Sequence, residues 1–275
     1  MALLCKALEV SRSGFYSWQN RTKRPLKLDQ VKLEAKTKEI FKKSGKTYGS
    51  RRISGALMAE DFDISRHKAR TLMKNLDLRV RTAKKYRVTT NSKHKYPVAS
   101  NLLNRQFNVP GPNIAWVTDI TYIWTNEGWL YLAAVIDLYS RRVVGWSLKK
   151  RMTTDLALEA LRMAWWSRKP GKGLIHHSDR GSQYASNEYQ RELEKFGMIC
   201  SMSRKGNCWD NAVAERFFRS LKSERVDFKN YRTRDEATMD IINYIVMFYN
   251  SYRLHSYLGY QSPVAHEKQN LAKAA

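Results

Sequence analysis

The stretch that decides the fold runs from Ile175 to Lys222 and reads IHHSDRGSQYASNEYQRELEKFGMICSMSRKGNCWDNAVAERFFRSLK. It opens with a short apolar run that reaches Asp179 just before a glycine turn. This pattern is typical of a buried strand with a carboxylate at its C-terminal end. The stretch closes with a helix expected over 212–225, for which Asp210 or Asn211 is well placed as the N-cap.

This helix separates into two faces when its residues are placed about 100° apart. Glu215, Arg219 and Lys222 fall within about 60° of one another on one face. The other face is apolar and consists of Val213, Phe217, Phe218 and Leu221. A solvated surface helix would show the same polar face, so the helix alone assigns no function.

Another acid lies upstream, in the middle of residues 113–124, which read NIAWVTDITYIW. These β-branched and aromatic residues predict a core strand, where the carboxylate of Asp119 is costly unless a partner neutralises it. If Asp119, Asp179 and Glu215 converge, a divalent cation is the simplest relief of their repulsion. Two Mg²⁺ ions roughly 3.5–4 Å apart, held by such a cluster, could activate an attacking oxygen and stabilise a leaving one in phosphoryl transfer.

Three motifs carry a resemblance to a known family. WVTDIT around Asp119, HSDRGSQY around Asp179 and DNAVAERFFRSLK around Glu215 resemble the DDE catalytic core of bacterial insertion-sequence transposases. The similarity is to the insertion-sequence-three family, in the retroviral-integrase superfamily, and it covers nearly the whole chain. The 35 residues between Asp179 and Glu215 match the family's characteristic interval, and Lys222 matches its usual Lys or Arg.

The resemblance implies both a fold and a reaction. The fold is α/β, an RNase H-like mixed-sheet catalytic core behind an N-terminal all-α helix-turn-helix region. The activity is that of a metal-dependent polynucleotidyl transferase, with Asp119, Asp179 and Glu215 as the catalytic and metal-binding residues. Two Mg²⁺ ions are expected, and Mn²⁺ is expected to substitute for them. Lys222 would contact DNA near the cut, and Arg219 would contact a phosphate.

The resemblance also implies partners. The chain would bind the terminal inverted repeats of its element and the target DNA, and would act as a homo-oligomer on DNA. It resembles the product of a second reading frame, so the product of the upstream frame, or a fusion with it, is a further expected partner.

The charge of the chain independently indicates a polyanionic partner. Its 275 residues carry a formal net charge of +25, and the isoelectric point is near 10.0, far from what solubility alone needs. Residues 1–110 hold 26 Lys and Arg against 8 Asp and Glu, whereas residues 111–275 hold 24 against 17. The front of the chain is therefore expected to grip DNA, although a ribosomal or other RNA-binding protein could have the same front.

The front is expected to be helical. Helices are predicted over 28–43, up to about residue 59, and over 65–76, and the tight turn between the last two fits a helix-turn-helix. The candidate DNA contacts in this region are Arg51, Arg52, Arg66, Lys68 and Arg70. Residues 1–19 hold two short helical runs, with Ser11 as a cap between them. They fit a DNA-binding module or a docking pair equally well.

Composition divides the chain into three parts. Residues 1–27 form a helical segment and linker, 28–100 the helix-turn-helix region, and 101–275 the catalytic core with a C-terminal helix. The basic run 79–95 is expected to be a solvated linker, a DNA-tracking arm, or both. In the core, strands near residues 113–124, 129–136 and 141–148 precede a helix over 153–167, a strand over 174–177, a helix over 188–196 and a strand over 198–202. This pattern by itself predicts only a mixed α/β domain. The C-terminal helix is expected over 234–252.

Some core residues have competing interpretations. The loop 203–209 could hold a DNA strand through Arg204, Lys205 and a stacking Trp209, or it could be purely structural. Asp137 is best explained by turn chemistry. His177 is expected to pack at a strand end, close enough to Asp179 for a hydrogen bond. Near the C-terminus, YNSYRLHSYLGY resembles the family's closing motif, except that Leu254 stands where the family commonly has Pro.

Several protein classes are excluded by what the sequence lacks. Cys5, Cys200 and Cys208 are too few and too widely spaced for a disulfide framework or a zinc site, which favours a reducing cytoplasm. The resemblance further implies a bacterial, nucleoid-associated protein. Neither a signal peptide nor an apolar segment of about 20 residues appears, so export is not expected. A non-catalytic end-binding regulator of transposition and an RNase H-type nuclease stay open as alternatives.

Overall fold

The computed structural model describes residues 2–19, 28–81 and 96–274. The linker 20–27 and most of the basic run 79–95 lie outside the described residues, so their predicted roles stay predictions. Within the described ranges, no helix is both long and apolar enough to cross a membrane.

The core is built on one five-stranded mixed sheet in the order β3-β2-β1-β4-β5. The strands are β1 (Ala115–Thr125), β2 (Gly128–Asp137), β3 (Val143–Lys149), β4 (Ile175–Ser178) and β5 (Ile199–Met202). β1 to β3 form an antiparallel meander, and β4 and β5 extend the sheet in parallel with β1. The predicted mixed-sheet α/β class is therefore confirmed, with each strand within about two residues of its expected bounds.

Helices cover both faces of the sheet. The elements introduced here are α6 (Thr154–Arg168), α7 (Ser182–Ala185), α8 (Asn187–Lys195), α9 (Ala212–Glu224), α10 (Arg234–Asn243) and α11 (Pro263–Ala274). α6 to α8 pack with one face of β1 and β2 in one hydrophobic cluster, and α9 and α10 pack with the opposite face in another. This division follows the alternation of side chains along a strand, since Trp116 lies in the first cluster and Val117 in the second.

The helix predicted over 234–252 changes character part-way. It is α-helical to Asn243 and continues as a π-helix over Tyr244–Asn250. At the end of this segment the side-chain amide of Asn250 makes two hydrogen bonds to the backbone of β3. It accepts from the Val143 N–H at 3.0 Å and donates to the Val143 carbonyl at 2.9 Å.

The front of the chain forms its own small helical core. The helices are α1 (Ala2–Ala7), α2 (Arg12–Gln19), α3 (Leu28–Lys43), α4 (Ser50–Met58) and α5 (Arg66–Asn75). Ser65 caps α5 by accepting from the Lys68 amide, and Ser11 accepts from the Gly14 amide, as predicted for the start of α2. Buried residues of α3 to α5 cluster around Tyr48 and Ile53, which gives the expected helix-turn-helix arrangement.

This helical unit docks on the core through the segment that follows the π-helix. The Tyr48 ring, fully buried, stacks on Tyr252 with ring centroids 6.2 Å apart. Its hydroxyl accepts the Leu254 N–H at 2.8 Å. A proline at this position could not make that bond, because proline has no N–H. The departure of this chain from the family's closing motif therefore supplies a hydrogen bond between the two units.

A buried ion pair lies beneath the same junction. The Arg253 guanidinium, only 5% exposed, donates to both carboxylate oxygens of Glu224 at the end of α9, each at 2.7 Å. Arg52 of α4 adds a further bond to Glu224 at 3.1 Å. The ion pairs of Glu224 with Arg253 and Arg52 thus hold α9, the C-terminal segment and the helix-turn-helix unit together.

Candidate catalytic site

Parallel strand pairing brings Asp119 and Asp179 side by side. The pairing of β1 and β4 ends with Val117 opposite His177, and β4 itself ends one residue later at Ser178. Continuing that register by two residues sets Asp119 opposite Asp179, and neighbouring strands lie about 4.8 Å apart. Both side chains are half-buried. Each is fixed locally, Asp119 by the Ile120 amide at 2.8 Å and Asp179 by the Gly181 amide at 2.9 Å.

The third acid comes from α9. Glu215 lies in the exposed part of the first turn of this helix. The helix begins next to Asp119, because the Asn211 side-chain amide donates to the Thr118 carbonyl at 3.1 Å. The buried face of α9, formed by Ala214, Phe217, Phe218 and Leu221, packs against the sheet. Glu215 lies on the exposed face of the first turn, within electrostatic reach of Asp119 in the middle of β1.

The three carboxylates interact electrostatically. The pKa of Asp119 is raised well above its usual value, first by burial, then by the negative charge of Asp179, and further by that of Glu215. Loss of surrounding water also raises the pKa of Glu215, against the opposing effect of Arg219. Such a set of like charges would be relieved by bound cations.

The residues present fit a hard divalent cation by their chemistry, because Mg²⁺ prefers carboxylate oxygens. Within residues 2–19, 28–81 and 96–274, however, no three His, Cys, Asp or Glu side chains gather closely enough to hold a metal ion together. The two aspartates are the preformed part of the predicted site, and Glu215 interacts with Asp119 over a longer range.

Lys222 lies within reach of the same group. Its side chain is mostly buried, and its Nζ atom is 4.5 Å from the centre of the Tyr122 ring. Burial lowers the pKa of Lys222 to about 8, although the carboxylates of Asp227 and Asp119 act in the opposite direction. Lys222 is thus an ammonium group that is electrostatically linked to Asp119.

Tyr184 is a site neighbour that the sequence interpretation did not single out, although it closes the HSDRGSQY motif. Its hydroxyl is 3.4 Å from the Thr118 hydroxyl. Its pKa is raised well above the usual value by burial, and both Asp119 and Asp179 contribute. A buried phenol beneath two carboxylates supports the floor of the site.

The loop before α9 is held by Asp210, and its predicted role as a helix cap is wrong. Its fully buried carboxylate accepts from the Arg204 guanidinium at 2.8 and 2.9 Å, and also from Arg105 and Asn101. The Arg204 bonds lower the pKa of Asp210. Asn211 occupies the N-cap position of α9 but makes no side-chain cap bond, because its amide is engaged with Thr118.

Two further predictions at the strand ends have different outcomes. The expected hydrogen bond from His177 to Asp179 is wrong, because both ring nitrogens contact serine hydroxyls, Ser201 at 2.8 Å and Ser203 at 3.1 Å. Burial lowers the pKa of His177 to about 4, so the ring is neutral at physiological pH. The turn role of Asp137 is confirmed, since its carboxylate accepts the Asn113 and Tyr139 amides, each at 2.8 Å.

The other predicted DNA contacts fall into two groups. Side chains exposed in the structure are Arg51, Arg66, Lys68, Arg70, Lys205, Trp209 and Arg219. Arg52 and Arg204 instead form the ion pairs with Glu224 and Asp210 described above. The DNA contacts of both groups stay predictions.

Comparison with known proteins identifies the family. Two profiles described as integrase core domain match residues 109–208 and 215–271, and one described as HTH-like domain matches residues 27–86. A curated transposase, InsF of insertion sequence IS3A from Escherichia coli strain K12, is 40% identical over 98% of the chain and 94% of its own length. The chain belongs to the insertion-sequence-three (IS3) family of transposases.

This IS3-family transposase is also similar to other proteins. A 31 kDa protein of insertion element IS600 from Shigella sonnei is 43% identical over 99% of the chain and its own full length. Among solved structures, the HTLV-2 integrase catalytic core domain in complex with magnesium matches at 18% identity, covering 57% of this chain and 97% of that one, with a TM-score of 0.42. The simian T-cell lymphotropic virus intasome matches at 15% identity and a TM-score of 0.47, covering 80% and 70% of the two chains.

Proposed function

We propose that this transposase is a DDE enzyme that binds insertion-sequence ends and catalyses metal-dependent DNA strand cleavage and strand transfer. The observation that supports it best is the register of β1 and β4, which sets Asp119 in the middle of β1 opposite Asp179 just past the end of β4, within the electrostatic reach of Glu215. The exposed cations of α5 and the strong net charge support DNA binding.

Each residue has a proposed part. Asp119 and Asp179 would hold Mg²⁺, and Glu215 would complete the set when α9 and the DNA adopt their working positions. Bound Mg²⁺, in two sites, supplies an activated attacking oxygen and stabilises the leaving oxygen of an in-line displacement. Lys222 would hold the DNA phosphate beside Asp119. Tyr184 would fix the position of β1 next to Asp119 through its contact with the Thr118 hydroxyl.

The two reactions need no covalent intermediate with the protein. In cleavage, water attacks the phosphate at the element end and a 3′-hydroxyl leaves. In strand transfer, that 3′-hydroxyl attacks a target phosphate, and a target 3′-oxygen leaves with the proton balance carried by solvent. A matched Ser or Tyr nucleophile is therefore not required.

The test is Glu215→Gln, which keeps the shape of the side chain and removes its charge. We expect strand cleavage with Mg²⁺ to fall by a hundredfold or more while binding to element ends stays near the wild-type level. Glu194→Gln, at an exposed position of α8, is the matched control and should cleave normally.

Normal cleavage by Glu215→Gln would contradict the proposed role of Glu215. Binding of element ends by a wild-type chain that never nicks them, with Mg²⁺ or Mn²⁺, would instead indicate a non-catalytic end-binding regulator. Assays with terminal inverted repeats and RNA–DNA hybrids side by side distinguish transposition from RNase H-type activity.

A further inference from the structure

Three aromatic side chains group at the end of the β1–β2 hairpin. The Trp124 and Trp129 rings meet edge to face with centroids 4.8 Å apart, and the Tyr122 and Trp129 rings do so at 5.0 Å. Trp124 and Trp129 are directly paired across the two strands. We call Tyr122, Trp124 and Trp129 the hairpin aromatic cluster.

The cluster is open to solvent. Trp124 is 55% exposed and Trp129 is 43% exposed, and neither belongs to the hydrophobic clusters of the core. Edge-to-face packing leaves a broad indole surface uncovered. Two large apolar side chains kept at the surface in a fixed arrangement are typical of a binding surface.

The hairpin that carries the cluster is anchored from outside. The Arg234 side chain donates to the Trp129 carbonyl at 3.0 Å, and the Arg234 amide donates to the Glu127 carboxylate at 2.8 Å. Within the turn, the Asn126 amide donates to the Tyr231 carbonyl at 3.0 Å. The turn that carries the cluster is therefore held in place by hydrogen bonds, so little conformational entropy is lost when a ligand binds.

The cluster is linked to the carboxylate site around the edge of β1. Tyr122 follows Asp119 by three residues on β1, about 10 Å along the strand and on the opposite face of the sheet. The Lys222 Nζ atom lies over the Tyr122 ring and interacts with the Asp119 charge. β1 pairs with β4 only as far as Val117, so within the described residues no strand covers the β4 side of β1 between these two points.

This arrangement selects the kind of ligand. A DNA strand held at Asp119 would pass the Lys222 ammonium, which can bind a phosphate. It would then meet the exposed indole faces, on which bases can stack. Only a base that has left the duplex stack offers its face to such a ring. Each base stacked on an aromatic side chain contributes about 1–3 kcal/mol.

We propose that the hairpin aromatic cluster is a stacking platform for unpaired nucleotides that flank the scissile phosphate. Trp124 and Trp129 hold the displaced bases, and Tyr122 beside Lys222 guides the backbone between platform and carboxylates. This proposal rests on the proposed function, and it adds a subsite for single-stranded DNA to it.

The test compares DNA ends whose flanking nucleotides are normal with ends whose flank is abasic, since abasic sites keep the phosphates and lose the bases. The normal and the abasic flank are each made single-stranded, and each is placed either on the 5′ side or on the 3′ side in separate substrates. Binding is measured in Ca²⁺ to prevent cleavage. The wild type should bind the normal flank of one polarity about fivefold to a hundredfold more tightly, which corresponds to the stacking of one base.

Trp124→Ala and Trp129→Ala should lose this preference for bases, whereas Trp124→Phe should recover part of it because the ring face is kept. Trp166→Ala removes an indole of similar exposure, 64%, from α6, and it should behave as the wild type. Thermal unfolding midpoints verify that the variants are folded.

Three results would overturn the proposal. The wild type could bind element ends with the same affinity whether or not the flank carries bases. Folded Trp124→Ala and Trp129→Ala could keep the full preference for bases. These variants could also change the oligomeric state of the free protein, which would make the cluster a surface between protein chains. A wild type that does not bind element ends at all contradicts the proposed function instead.

Discussion

At the residue scale, Asp119 and Asp137 show two ways of keeping an acid among apolar neighbours. Burial raises the pKa of both. Asp137 accepts two backbone amides and contacts Arg168, so its turn explains its presence. Asp119 accepts one amide and has a second carboxylate as neighbour. The molecule therefore carries an electrostatic cost at Asp119 that its fold does not require.

That cost predicts that Asp119→Asn stabilises the metal-free protein. Below about pH 4 the carboxyl is protonated in both the folded and the unfolded chain, so the substitution changes little. As pH rises through the raised pKa, the folded state must accept the charge, and the cost is complete above it. Each unit of pKa shift corresponds to about 1.4 kcal/mol, and 1 kcal/mol moves the unfolding midpoint of a chain of this size by about 2–4 °C.

Thermal unfolding at about pH 7.5 and about pH 4.5 without metal measures the effect, which should be larger at the higher pH. Added Mg²⁺ should raise the midpoint of the wild type more than that of Asp119→Asn, since only ligands of the folded state stabilise it. Asp137→Asn is the contrasting variant and should lower the midpoint, because both oxygens of Asp137 accept backbone amides and the amide nitrogen of Asn cannot accept one. Equal midpoints for wild type and Asp119→Asn at both pH values would show that Asp119 carries no such cost.

Single residues were predictable from sequence where local chemistry decides. The turn role of Asp137 and the cap at Ser11 depend on neighbours within a few positions. Asp210 and His177 were misassigned because their partners come from elsewhere in the chain, such as Arg105 for Asp210 and Ser201 for His177. Pairings of this kind leave no periodic trace in a sequence.

At the element scale, α9 is fixed at both ends. Asn211 attaches its start to β1, and Glu224 attaches its end to Arg253. The helices between residues 28 and 225, apart from α7, begin and end within about two residues of their predicted bounds, because apolar periodicity and caps mark helix ends in the sequence. The short α7 and the C-terminal α11 were not predicted, since α7 has only four residues and α11 has only a weak apolar face.

The contact between the helix-turn-helix unit and the core predicts a coupling between Tyr48 and Leu254. Tyr48→Phe should destabilise the wild type by about 1–3 kcal/mol, because the Leu254 N–H loses its acceptor in a partly buried position. In a Leu254→Pro background the same substitution should cost much less, because the donor is already absent.

Denaturant unfolding of the four proteins in this cycle gives the interaction energy directly. Tyr252→Phe is a suitable control, since its ring stacks on Tyr48 and the substitution preserves that ring. An equal cost of Tyr48→Phe in both backgrounds would exclude the hydrogen bond as the link between the two units.

At the scale of the whole molecule, the net positive charge is concentrated in residues 1–110, whereas the acids of the candidate site lie in the rest of the chain. Binding to element ends should weaken steeply with salt, because counterions released from the neutralised phosphates return. Arg66→Ala, Lys68→Ala and Arg70→Ala should each reduce the slope of log K against log salt by about 1 if the side chain meets a phosphate.

Arg52→Ala is the informative comparison in that series. Its guanidinium is paired with Glu224, so we expect lower stability with little change in the salt slope. Titrations at several salt concentrations measure both. A flat salt response in the wild type would argue against a DNA-tracking surface on this chain.

The π-helix over Tyr244–Asn250 has a consequence for how the chain tolerates shortening. Its wider turns bring Asn250 to the Val143 backbone. Deletion of one exposed residue, such as Met247, would let the segment relax to ordinary α-helical winding, a locally easier conformation. Because the wider winding takes up about one extra residue, the shortened segment would keep Asn250 on nearly the same side of the helix axis, and we expect its hydrogen bonds to the Val143 backbone and the position of Arg253 to be retained. In this segment, the irregular winding absorbs the extra residue and so keeps the rest of the molecule in register.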